Sequence, residues 1–188
     1  VSDWHLLAPG PSASRALALR LPHPFGVVNN AWTLAPNAEF LAAVDMDWWR
    51  HYPAALEFAG KKFSIHKVPR TIQVKMPVVN SGVLALECAR REGATRIFLH
   101  GFDARGSHFF GPYANGLKNT PPKQRALHAG QFQHWGKANR RTVEVINCTP
   151  GSALRCFPMA SADDLAHFLG QESQPERGGA PGVRCVSA

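Results

Sequence analysis

The residues with chemical capacity in this chain stand directly after apolar runs: Gly10 and Ser12, Asn29 and Asn30, Asp45 and Asp47, Asp103, and Asn147 with Thr149 and Ser152. The first pair falls in "LLAPGPSASRA", residues 6–16, an apolar run followed by a Gly-Pro-Ser turn and a segment of helical character. A strand that ends in a small-residue turn and opens a helix aims backbone N–H groups, and the positive end of the helix dipole, at an anion above the sheet edge. The same turn also serves simply to reverse the chain. Neither GxGxxG nor GxxxxGK[ST] occurs, so the dinucleotide and P-loop fingerprints are absent. In "VDMDWW", Asp45 and Asp47 form a DxD. Two carboxylates on one side of an extended turn hold Mg²⁺ or Mn²⁺ against a diphosphate, whereas Asp47 alone would cap a helix starting at Trp48. Asp103 closes "RIFLHGFD". A carboxylate there either anchors the following loop through backbone N–H groups or holds a ligand hydroxyl or a catalytic His.

Positioning these groups falls to strands of strand-length apolar runs at 5–8, 26–28, 40–44, 96–100 and 143–146. Most are continuous rather than alternating, as in strands buried on both faces of a parallel sheet. Helical segments fall between them at 81–93, with Ser81 as N-cap candidate and Gly93 as stop, at 47–60 with a break near Pro53, at 122–141 and at 161–170. The expected fold is α/β, a single open, mostly parallel sheet with helices on both faces, in which ligands bind at the carboxyl ends of the strands. Five polar strand ends then share one rim.

A chain of 188 residues bounds this to one domain, expected over 1–170, with the Gly- and Pro-rich 171–188 as a tail outside the core. No apolar stretch reaches the roughly 20 residues of a membrane span, and the first residues lack signal-peptide features, so a cytoplasmic location is the expectation. The four cysteines show no CxxC spacing, which favours free thiols over a zinc site. The net charge of +8 suits a polyanionic ligand or partner. Residues 60–75 carry Lys61, Lys62, Lys67, Arg70 and Lys75 with no acid, which reads either as a lysine-protected loop or edge strand or as a nucleic-acid surface.

Taken together, these strand ends resemble the bacterial sialyltransferases of glycosyltransferase family 42. "APGPS" is similar to their AGNGPS turn, and "NNAW" to the Asn-containing strand end that follows. "VVNSGVLALECARREGATRIFLHGFD" is similar to their central helix and strand, and "VEVINCTPGSAL" to their late strand and turn. The likeness spans residues 3–154 and extends to flagellin glycosyltransferases and pterin pyrophosphokinase-like proteins. It implies a nucleotide-binding domain that transfers a sugar from a cytidine monophosphate donor to a hydroxyl acceptor, with no metal required. By position it implies Gly10 and Ser12 on the phosphate and ribose side, Asn30 on the nucleotide, Asn80 and Ser81 at a helix N-terminus beside the donor, and Ser152 closing the base pocket.

The chain departs from that family where Asp45 replaces an Asn, where Val78 replaces an Arg, and where two phosphate-holding tyrosines give way to Arg105, His108 and Tyr113. The resemblance leaves the general base to His128 first, then His108 or His134. Asp103, Arg105, Tyr113 and His128 complete the catalytic set, and Asp45 joins the nucleotide-binding one. Two other functions remain open. One is magnesium-dependent pyrophosphoryl transfer through the DxD. The other is nucleic-acid binding through residues 60–75, with a phage-type enzyme that glycosylates DNA as the hybrid case.

Overall fold

The computed structural model describes residues 1–114 and 116–161. The five apolar runs and two further segments, the fourth and fifth in order, form seven strands among the described residues: β1 (Asp3–Leu7), β2 (Phe25–Val28), β3 (Phe40–Ala42), β4 (Lys61–Ser64), β5 (Ile72–Gln73), β6 (Arg96–His100) and β7 (Glu144–Asn147). They make one open, all-parallel sheet in the order β5-β4-β3-β2-β1-β6-β7. The chain runs outward from β1 to one edge and returns to β1's other side as β6. The switch point therefore lies between β1 and β6, where open α/β sheets place their ligands.

Side-chain alternation along each strand splits the core in two. Trp4 and Leu6 of β1, with Phe40 and Ala42 of β3, face α3 (Ser81–Arg91) and α4 (Pro122–Asn139). Leu7, Phe25, Val27 and Leu41 face the opposite side, with α1 (Arg15–Arg20) and α2 (Met46–His51). Leu84 and Leu86 of α3 are 0% exposed, and burying each contributes about 2 kcal/mol. Trp48 and Trp49 anchor α2, and their indole N–H groups donate to Asn30 Oδ1 at 2.7 Å and to the Ala43 carbonyl at 3.0 Å.

Several local expectations are corrected. Asp45, not Asp47, caps α2, accepting the Asp47 N–H at 2.9 Å. Asn80, not Ser81, caps α3, taking the N–H groups of Gly82 and Val83. The break expected near Pro53 is present: α2 ends at His51, and Pro53–Glu57 is a separate 3-10 turn. Residues 60–75 form β4 and β5 at the sheet edge. Three of their five cations have local partners: Lys61 pairs with Glu92 at 2.6 Å, Lys62 donates to the Phe58 carbonyl, and Arg70 pairs with Glu57. Among the described residues, Cys88, Cys148 and Cys156 are free thiols, and no helix is long and apolar enough to cross a membrane. The helix expected at 161–170, beyond Ser161, and the tail at 171–188 lie outside the described residues.

The junction of α3 with α4 rests on a nearly buried carboxylate. Glu87 accepts from Arg90 at 2.7 Å, Arg91 at 2.8 Å and the Trp135 indole at 3.2 Å. Burial alone would raise its pKa, and these three donors outweigh burial and bring it down to about 2. A folded value below the unfolded 4.5 adds stability that is present above pH 4.5 and is lost as pH falls toward 2. Glu87→Gln should therefore cost about 2 kcal/mol at pH 7, with the difference from the parent narrowing between pH 4.5 and 2 in urea unfolding. A gap independent of pH would show that the charge contributes nothing.

Candidate functional site

The carboxyl ends of β1, β2, β3 and β6 and the N-terminal ends of α3 and α4 enclose a cleft of about 420 Å³. Its floor depends on two loops in backbone contact. The N–H groups of Ala8 and Gly10 donate to the carbonyls of His100 and Gly101 at 2.8 and 3.0 Å. A Cβ on Gly10 would sit 2.1 Å from Asp103 Oδ2 and 2.3 Å from the Gly101 carbonyl, so only glycine lets the loops meet. Asp103, 4% exposed, closes the contact by accepting the Ser12 hydroxyl at 2.8 Å and the Ser12 N–H at 3.2 Å.

The structure brings Gly10, Asp45, Asn80, Ser81, Asp103, Arg105, His108, Tyr113 and His128 to this cleft. Ser12, Asn30 and Ser152 are not among its lining residues. Ser12 turns to Asp103, as above. Asn30 is buried, its Oδ1 accepting from the Trp48 indole at 2.7 Å and the Tyr113 hydroxyl at 3.0 Å. Ser152 is fully buried and donates to the Phe102 carbonyl at 2.6 Å. Thr149 Oγ1 accepts the Phe102 N–H at 2.9 Å, and Asn147 closes its own turn through Thr149 N–H and the Leu154 carbonyl. The β7 turn thus braces the Phe102–Asp103 loop from behind.

In place of Asn30, the cleft receives Asn29. Its φ is +43°, and its Oδ1 is buried without a hydrogen-bond partner among the described residues. Ala104, at φ +53°, lines the same cleft. Two positive-φ residues and a carbonyl oxygen without a partner among the described residues thus fall at one cavity. Asn tolerates positive φ better than other non-glycine residues, and this is the one sequence signal that could have selected it. Lys118 and Arg125 also reach the cleft, from a long loop and from the first turns of α4. Nothing in local sequence pattern marks either one.

Electrostatically the cleft is cationic. Arg105, Lys118 and Arg125 form no ion pair among the described residues. Arg125 donates to the Gly106 carbonyl at 2.8 Å and steadies the loop that carries Arg105. The α3 N-terminus offers an anion less than expected, because Asn80 already occupies two of its N–H groups. Ser81 Oγ accepts the Val44 N–H at 3.0 Å and so ties α3 to the end of β3. Within the DxD, Asp45 Oδ1 accepts the Asp47 N–H at the start of α2, while Asp47 binds Arg50 at 2.9 Å on the surface. His108 stacks on Phe110 with ring centroids 4.9 Å apart, and burial lowers its pKa. Burial also lowers that of His128, whose Nε2 is buried with no partner among the described residues. Burial raises that of the Tyr113 phenol. His134 lies outside the cleft, against a separate apolar groove beside α4.

No protein-family model and no curated protein matches the sequence. Among solved structures the fold is similar to the sialyltransferase CstII from Campylobacter jejuni, solved in complex with a substrate analogue, cytidine-5'-monophosphate. The TM-score is 0.51 at 13% identity, over 100% of this chain and 96% of that one. The likeness shows a shared α/β fold and nothing beyond it.

Gly10→Ala should cost on the order of 3 kcal/mol, because its Cβ meets backbone and a fixed carboxylate. Urea unfolding measures this, and a variant as stable as the parent would mean the two loops are not locked together.

Proposed function

We propose that the cleft binds a nucleotide-activated sugar of the cytidine monophosphate type and transfers the sugar to a hydroxyl acceptor. The observation that carries this reading is His128, whose buried Nε2 has no hydrogen-bond partner among the described residues, lining the same cleft as Arg105, which forms no ion pair among them. The fold's likeness to a sialyltransferase solved with a cytidine nucleotide supports the donor class. His128 Nε2 takes the acceptor's hydroxyl proton as the acceptor oxygen bonds to the anomeric carbon. The anomeric carbon–phosphate oxygen bond breaks with its electron pair on the phosphate, and the nucleoside monophosphate departs.

Arg105 and Lys118 neutralise the charge that grows on the leaving phosphate, a role in which a preorganised cation outperforms a phenol. Asn29 supplies its unsatisfied carboxamide to the nucleotide. Tyr113 acts as a positioning residue, since its hydroxyl is committed to Asn30. Asp103 is one as well, through Ser12. The scheme needs no divalent cation, and the separate partners of Asp45 and Asp47 give the pyrophosphokinase alternative no support.

Cytidine monophosphate at 100 times its Kd should stabilise the protein by about 2.7 kcal/mol in a thermal-shift assay, with or without EDTA. Arg105→Ala and Asn29→Ala should each reduce that shift. Absence of stabilisation by any cytidine nucleotide at millimolar concentration would overturn the reading.

For a base lowered by burial, the neutral form prevails above its pKa. The acid limb of kcat/KM should then fall below the ordinary histidine value of 6.5. His128→Gln should keep the nucleotide shift while lowering kcat at least about 100-fold. Full activity in this variant would move the base elsewhere.

A further inference from the structure

The charge of this protein is segregated. Between Asp103 and Glu144 the sequence holds no Asp or Glu and seven Lys or Arg: Arg105, Lys118, Lys123, Arg125, Lys137, Arg140 and Arg141. None of the seven forms an ion pair among the described residues, while every ion pair present there lies in other parts of the chain. The segment begins at the cleft and continues along α4, whose 18 residues extend about 27 Å. Lys123 and Lys137 lie on its exposed side, and Arg140 and Arg141 follow its end.

Where this cationic run meets the cleft it carries rings. Phe110 is 39% exposed, lies parallel to His108 at an interplanar angle of 5°, and approaches Tyr113 at 5.3 Å. An exposed aromatic face beside unpaired cations is the composition of a surface that binds single-stranded nucleic acid, with rings for bases and cations for phosphates. A bilayer would ask for an apolar helix face, and Leu127 is the lone large exposed apolar side chain on α4.

We infer that the loop after Asp103 and the exposed side of α4 bind a single-stranded nucleic acid, with a base stacked on Phe110, the ring that lies against His108 of the cleft. Resting on the donor reading above, the acceptor hydroxyl is then borne by a nucleotide of that strand. The surface differs from residues 60–75, whose lysines Lys61 and Lys62 are engaged locally.

The test is fluorescence anisotropy with a labelled mixed-sequence strand of about 20 nucleotides, as DNA and as RNA, in about 50 to 200 mM salt. Binding should weaken with salt. A combined Lys137→Ala, Arg140→Ala and Arg141→Ala variant should lower the slope of log affinity against log salt by about 2. Phe110→Ala should weaken binding about tenfold at fixed salt with the slope unchanged. Lys61→Ala with Lys62→Ala should alter neither. No binding in low salt, an unchanged slope in the combined variant, or binding of phosphatidylserine vesicles but not of either strand would each overturn the proposal. Thermal shift with cytidine monophosphate on the same samples separates the two readings. A retained nucleotide shift without strand binding removes only the strand, and strand binding without a nucleotide shift upholds the surface and removes the donor.

Discussion

The close approach of two strand-end loops governs what this fold can present. β1 and β6 are neighbours across the switch point, and their exits would splay apart with ordinary side chains between them. Gly10 against Gly101 lets the backbones meet, and the carboxylate of Asp103 then fastens the Ser12 turn from the far side. One buried acid thereby fixes where both loops sit. The residues next in sequence, including Arg105, inherit that position.

A division of labour follows between strand ends and the segments beyond them. Asn147, Thr149 and Ser152 spend their hydrogen bonds on the Phe102–Asp103 loop or on their own turn, and Asn30 spends its carbonyl oxygen on Trp48 and Tyr113. Buried polar groups so thoroughly satisfied rigidify a rim and have little left for a ligand. Among the described residues the scaffold leaves Asn29 Oδ1 and His128 Nε2 without a hydrogen-bond partner and the cations of the loop and of α4 without an ion pair, and it is on these groups that the proposed chemistry draws.

The sheet was largely legible because strands buried on both faces read as continuous apolar runs, as at 26–28 and 96–100. β4 and β5 were harder to see, since short edge strands interleave lysines with apolar residues and match an edge strand and a loop equally well. Caps were misassigned by one or two positions at Asn80 and Asp45, because Ser, Asn and Asp are close in capping strength and only backbone angles choose among them. The cleft was legible as a rim, and most of the residues named from sequence do line it, whereas Ser12, Asn30 and Ser152 do not. Whether Asn29 or Asn30 faces the cleft is settled by one positive φ, and Lys118 arrives through a loop whose path no periodicity records.

Burial acts on histidines twice in this molecule, to different ends. Beneath the switch point, His5 Nδ1 and His100 Nε2 lie 2.9 Å apart across β1 and β6, a distance that requires one ring to donate and the other to accept. Desolvation permits this by lowering His5 to about 4 and His100 to about 3, so both rings are neutral at physiological pH and the pair joins the strands without introducing charge. At the cleft the same effect lowers the pKa of His108 and His128 and so favours their neutral forms beside Arg105, Lys118 and Arg125. A protonated imidazole there would add to the repulsion among the cations and would have no lone pair to offer. A neutral ring can accept a proton beside cations that hold an anion without competing with them, which is what the proposed transfer requires.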